Sequence, residues 1–229
     1  TGGGLINPAH DVGRIAKKYA IPFLLDACQS VGQIHLDVKA IGCDFLSGTG
    51  RKYLRGPRGT GFLYVQEDWI ERLEPPLLDQ FAAELIDART YEVRTDAKRF
   101  ENWERYFAGQ AALGKAVDYA MELGLKTIER RVFDLAACLR TELQETGFVT
   151  LTDQGEKKCG LVTFEHLRLN AEQVKIQLSN HKINVSTSSG SGMKLSYLDR
   201  GLEGLVRASV HYYNTEDEIN KFVEALRSL

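Results

Sequence analysis

Apolar residues recur at helical spacing over Val12, Ile15, Ala16 and Tyr19, which predicts a helix across Pro8 to Tyr19. Phe23-Leu24-Leu25 then form an unbroken apolar run that stops at Asp26, the pattern of a short buried strand. A helical turn over Val38 to Ile41, a second strand over Phe45 to Ser47 and a third over Gly61 to Val65 follow. The third is reached through Gly56-Pro57-Arg58-Gly59, a strong turn signal. Strands alternating with helices predict an α/β fold with a mostly parallel sheet covered on both faces. Residues 74–102 lose the pattern; Pro75-Pro76 and dense charge predict an irregular connection. Trp103 to Leu123 and Thr127 to Thr146 read as two long helices parted by Gly124. Beyond them, strands at Leu161 to Phe164, Ile183 to Ser186 and Leu205 to Val210 alternate with helices at Ala171 to Asn180 and Glu216 to Arg227. The last helix carries a capping box, Thr215 with Glu218, and an apolar stripe at Ile219, Phe222, Val223 and Leu226. The change of pattern sets a boundary near Leu125, giving a large domain over 1–125 and a smaller α/β domain over 126–229.

Composition narrows the function classes. With 29 basic against 31 acidic residues in 229, the chain lacks the charge excess of a nucleic-acid or membrane-surface binder. No apolar run reaches the length of a membrane span, and no signal-peptide pattern is present. Cys28, Cys43, Cys138 and Cys159 show no CxxC spacing and read as reduced, buried thiols of a cytoplasmic protein. The five histidines show no metal-ligand spacing, so structural roles are expected. Trp103 and Phe107 read as core or interface aromatics. The opening Thr1-Gly2-Gly3-Gly4 reads as the middle of a loop, so an N-terminal part is expected to be missing.

Candidate chemistry gathers between Pro22 and Val65. An apolar strand ends in Asp26, with Gln29 just beyond; another ends in Ser47 and runs through Gly48-Thr49-Gly50-Arg51 to Lys52. Open α/β sheets bind ligands at such strand ends. A buried acid that keeps a pyridine nitrogen protonated, opposite a lysine amine that captures an aldehyde, is what pyridoxal phosphate requires. Glycines at 48, 50, 56, 59 and 61 let backbone approach a ligand, while Ser47 and Thr49 offer hydroxyls to a phosphate. The bland reading makes Asp26 a cap or turn residue and Lys52 a solvated or phosphate-binding side chain. A Walker A loop is excluded because no glycine precedes Lys-Ser or Lys-Thr, and a Rossmann loop because the glycines do not read GxGxxG. Arg207, inside the apolar run Val206 to Val210, needs an anionic partner: either a structural carboxylate or the carboxylate of an amino-acid substrate.

Four segments together, LLDACQSVGQIHLDV, CDFLSGTGRKYLRGPRGTGFLYV, RFENWE and VRASVHYYNTEDEINKFVEAL, resemble the class V aminotransferase group of fold-type I pyridoxal phosphate enzymes, which includes cysteine desulfurases and isopenicillin N epimerase. The resemblance implies a homodimer acting on an amino acid. By position it makes Lys52 the Schiff-base lysine, Asp26 the partner of the pyridine nitrogen and Gln29 the neighbour of the ring oxygen. Ser47 becomes a phosphate ligand, and Arg207 the binder of the substrate carboxylate. Where the family commonly has Ser-Gly-His-Lys, this chain has Ser47-Gly48-Thr49-Gly50-Arg51-Lys52, so Thr49 or Arg51 takes over the histidine's contact. Asn102-Trp103-Glu104 stands where many relatives have a Gly-Thr pair. The loop Ser186 to Leu198 holds serines and glycines where desulfurases carry a catalytic cysteine, which weighs against persulfide chemistry. The branch resembled most contains hercynylcysteine sulfoxide lyase-like and epimerase-like proteins, and lyase, epimerase and aminotransferase chemistry all stay open. Two rivals stand beside this reading: a catalytically degenerate homologue, and a nucleotide-binding α/β domain gripping phosphate through Gly48 to Gly61.

Overall fold

The computed structural model describes residues 3–153, 155–189 and 194–229. Two compact units are present: one holds Pro8–Glu122, the other Leu123–Leu229 together with the segment ending at Asn7.

In the first unit, α1 (Ala9–Lys18) leads to β1 (Leu24–Asp26), α2 (Val38–Ile41), β2 (Phe45–Thr49) and β3 (Gly61–Val65). β1 pairs parallel to β2, and β2 antiparallel to β3. Leu25 and Leu46 point to one face and pack with Ala27, Ile41, Cys43 and Val38. α1 crosses α2 so closely that a Cβ on Gly13 would lie 1.9 Å from the Ile41 carbonyl oxygen. Asp37 caps α2 by accepting from the Lys39 and Ala40 N–H groups, and Gly42 ends it with a left-handed φ of 74°. The sheet was expected to be covered on both faces. Among the described residues these helices cover one, while Leu24 and Leu63 on the other are about half exposed, at 56% and 49%.

After β3 come α3 (Glu67–Ile70), β4 (Ala83–Leu85), β5 (Tyr91–Val93), a 3₁₀ turn at Ala97–Phe100, and α4 (Phe107–Leu123). Asp44 fastens α3 to the sheet: its carboxylate accepts from the Phe23 N–H (2.7 Å) and from the Trp69 indole (2.9 Å). The expected irregular connection instead contains the antiparallel β4–β5 hairpin. Its turn is held by Asp87, which accepts from the Arg89 and Thr90 N–H groups. α4 starts four residues later than the pattern predicts. The Trp103 N–H donates to Asp79 (2.7 Å), which commits that backbone outside the helix. Trp103 and Phe107 are not core residues; both are more than half exposed.

The second unit contains α5 (Leu125–Glu145), β6 (Val149–Leu151), β7 (Leu161–His166), α6 (Ala171–Asn180), β8 (Ser186–Ser189), α7 (Lys194–Arg200), β9 (Gly204–Ser209) and α8 (Glu216–Arg227). Its strands form one antiparallel sheet in the order β6-β7-β9-β8. Gly124, at φ 85°, breaks the chain between α4 and α5. α5, α6 and α8 bury their apolar stripes against Val162, Phe164, Val206 and Ala208. The Thr215–Glu218 capping box is formed as the sequence indicates. β6 and α7 carry too little pattern to be read from sequence, and β8 lies three residues beyond the expected strand. Ile183 and Val185 pack on the core before pairing begins, and the serines that follow supply the backbone ladder with β9. Part of the serine- and glycine-rich loop at 186–198, residues 190–193, lies outside the described residues. No helix among the described residues is long and apolar enough to cross a membrane.

Candidate active site

Parallel pairing sets Asp26 directly opposite Ser47. Side chains alternate along a strand, so Asp26, Ser47 and Thr49 share the face turned away from Leu25 and Leu46. β2 runs on through Gly48 and Thr49 because β3 lies tightly against it: a Cβ on Gly48 would meet the Phe62 ring at 2.5 Å. The chain then folds into a closed loop. The Gly50 N–H donates to the Thr60 carbonyl (2.9 Å), and the Gly56 N–H to the Gly50 carbonyl (2.7 Å). Tyr53 and Leu54 are buried and anchor the loop, leaving Lys52 half-buried and Arg51 exposed. Arg55 adopts a left-handed φ of 61°, and its guanidinium lies 5.5 Å from the Tyr119 ring centroid.

The turn after β1 packs onto the backbone beside Lys52. At Gly32 (φ 86°) a Cβ would sit 2.6 Å from the Leu54 nitrogen and from the Tyr53 carbonyl carbon. Gln33 is buried, and its side-chain amide donates to the Gln29 carbonyl. Gln29 itself is half-buried in this turn. Strand register and loop packing together gather Asp26, Gln29, Ser47, Thr49 and Lys52 at one end of the sheet.

Electrostatics link the acid to the amine. Asp26 is held below the ordinary aspartate range, first by the Cys28 N–H that it accepts at 2.9 Å, then by the Cys28 thiol, and further by the charge of Lys52. It is exposed rather than buried as expected, so it stays ionised at neutral pH. Cys28 is a residue of this site that the sequence did not single out; its only signal was its place between Asp26 and Gln29. Its thiol lies 4.0 Å from the Ser47 carbonyl, and burial followed by the Asp26 carboxylate pushes its pKa up.

Arg207 belongs to the other unit, on β9, paired in register with Thr163 of β7 and Ser186 of β8. It forms no ion pair with any carboxylate among the described residues. His166, by contrast, has a structural role: its Nδ1 accepts from the Arg168 and Leu169 N–H groups.

A carboxylate kept charged, an amine in its field, a side-chain amide and two hydroxyls at a glycine-rich turn form a donor set that suits a phosphorylated aldehyde bearing a basic ring nitrogen. The sequence profile of the family Aminotransferase class-V matches residues 1–222. A probable cysteine desulfurase of Pyrococcus abyssi is 31% identical over 228 residues, 99% of this chain and 56% of its own length. The apo structure of cysteine desulfurase from Thermococcus onnurineus NA1 superposes with a TM-score of 0.92 at 30% identity, over 98% of this chain and 56% of that one. The cystine C–S lyase C-DES has been solved with its reaction product cysteine persulfide and, as a lysine-to-alanine variant, with glycine covalently linked to its PLP cofactor. These two structures superpose with TM-scores of 0.86 and 0.85 at 21% identity, over 99% of this chain and 58% of theirs, a likeness of fold. The chain thus spans about half the length of the relatives it matches.

Proposed function

Because the chain belongs to the class V aminotransferase family, we propose that it carries the lysine and the carboxylate-binding arginine of a pyridoxal phosphate enzyme that cleaves the Cβ–sulfur bond of an amino acid. The observation that carries this reading is the ionised Asp26 carboxylate within the field of the Lys52 amine, one strand apart. Lys52 would hold the cofactor aldehyde through Nζ, and Asp26 would keep the ring nitrogen protonated. Ser47, Thr49 and Arg51 would hold the phosphate, and the Gln29 amide would serve the ring oxygen. When bound, pyridoxal phosphate supplies an electron sink for the substrate's Cα. Freed when the substrate amine takes its place, Lys52 Nζ would remove the proton from Cα as general base. Arg207 fixes the substrate by its carboxylate.

The thiols favour elimination over sulfur capture by the enzyme. A persulfide-forming cysteine must be a ready thiolate. Burial pushes the pKa of all four cysteines up, and Cys43 and Cys159 are buried outright. All four are free, in keeping with a reducing compartment such as the cytoplasm. The reading includes a homodimer, whose second copy would cover the exposed Trp103, Tyr106 and Phe107.

A second reading, cysteine desulfurase, is favoured by the Pyrococcus abyssi relative. Product analysis separates the two in the intact protein loaded with pyridoxal phosphate and given L-cystine or L-cysteine. Elimination yields pyruvate and ammonia together with sulfide from cysteine or cysteine persulfide from cystine, whereas desulfuration of cysteine yields alanine and leaves the sulfur on an enzyme thiol. Borohydride reduction followed by mass spectrometry should place the cofactor on Lys52, and Lys52→Ala should lose the adduct. Alanine as the sole product overturns the elimination reading, and an adduct on another residue overturns the role of Lys52.

A further inference from the structure

The second unit's sheet packs Val162, Phe164, Val206 and Ala208 against its helices, and its other face holds Thr163 and Arg207 between the buried Leu161 and Leu205. Thr163 and Arg207 face each other across β7 and β9, and Ser186 follows on β8. Val162, Phe164, Val206 and Ala208, the sequence neighbours of Thr163 and Arg207, all point into the helix-covered core. Alternation along the strands therefore turns Thr163 and Arg207 together to the opposite face.

Both residues hold polar atoms with nothing to bond. Thr163 is 0% exposed, and its Oγ1 makes no hydrogen bond among the described residues. The Arg207 Nε is equally shielded and equally unpartnered. A buried donor left unsatisfied is costly, so two such atoms set side by side call for a shared partner. Directly opposed residues of an antiparallel pair have Cβ atoms about 4.5–5.5 Å apart. Two donors so placed, one on a cation, can be met by one anionic oxygen lying between them.

We infer that Thr163 is a second ligand of the substrate carboxylate, its hydroxyl donating to the same oxygen that the Arg207 Nε–H grips. This rests on the reading of Arg207 as the carboxylate binder and adds a residue to it. The hydroxyl selects for a carboxylate over an amine lacking one, and it fixes which edge of the guanidinium faces the substrate.

The test titrates glycine into the intact protein loaded with pyridoxal phosphate and follows the cofactor's visible spectrum. Thr163→Val should raise the dissociation constant roughly ten-fold, the loss expected for a hydrogen bond to a charged group. Thr163→Ser should stay within about two-fold of the wild type, since it keeps the hydroxyl. The thermal midpoint of Thr163→Val should not fall, because valine removes an unpartnered buried hydroxyl at nearly constant volume. A purely structural threonine would give the reverse: a lower midpoint and unchanged glycine binding. Should Thr163→Val fail to fold, Thr163→Ala against Thr163→Ser gives the same contrast, and equal affinities for that pair overturn the inference. Weakened binding in Arg207→Lys with unaltered binding in Thr163→Val overturns the role of Thr163 and leaves that of Arg207 standing. No change in either variant, or no response of the wild type to glycine, overturns both.

Discussion

Asp26 and Cys28 constrain each other. Burial raises the pKa of the Cys28 thiol most, and the carboxylate, which accepts the Cys28 N–H, raises it further. Asp26→Asn keeps the shape and removes the charge, so the pH profile of Cys28 alkylation should move to lower pH, read by mass spectrometry of iodoacetamide-treated protein. An unmoved profile would mean that burial alone sets the thiol. The same shift has a stability sign. The folded-state pKa of Asp26 lies below its ordinary value, so its contribution is present above the unfolded pKa and is lost as pH falls through the folded one. At this scale the candidate residues were legible because each carries a distinctive functional group at a strand end. The state of each was not legible: the sequence suggested a buried acid, and Asp26 is exposed, because exposure depends on which chain passes overhead.

Elements place those groups. Gly32 lets the turn after β1 lie on the backbone of Tyr53 and Leu54, next to Lys52. Gly32→Ala forces a Cβ into that contact from a left-handed φ, and should cost ~2–4 kcal/mol in chemical denaturation. It should also weaken cofactor binding, since the acid's turn and the amine's loop would separate. A cost below about 0.5 kcal/mol would show that the two loops move independently. α2, α6 and α8 were readable because their start signals and apolar spacing are local. The β4–β5 hairpin was not, since its strands are three residues long and largely exposed, leaving no alternation to detect. The start of α4 was misread because a long-range partner, Asp79, takes the Trp103 N–H.

At the scale of the whole molecule, a buried ion pair closes the second unit. Arg140 on α5 donates to Asp153 (2.6 Å) and to the carbonyls of Cys159 (2.9 Å) and Leu161 (3.0 Å), and Asp153 is fully shielded. Gly4 lies against this node: its carbonyl accepts the Cys159 N–H (2.9 Å), and a Cβ there would meet the Leu161 carbonyl oxygen at 2.4 Å. Residues 3–7 thus belong with a unit whose remainder begins at Leu123. Removing one partner strands a buried charge. Arg140→Met should therefore cost about 3–5 kcal/mol in denaturant unfolding, and adding Asp153→Leu should restore part of the loss. A double variant no more stable than the single would show that the two carbonyl contacts, rather than the charge pair, make Arg140 indispensable. The sequence by itself determined the α/β class, most of the longer helices and which candidate functional groups stand at the strand ends, because helical periodicity, caps and functional groups are properties of neighbouring residues. Tertiary structure decided that Asp26 faces Ser47, that Cys28 joins them, and that Thr163 stands opposite Arg207. Those are matters of strand register between segments tens of residues apart, and no local pattern encodes register.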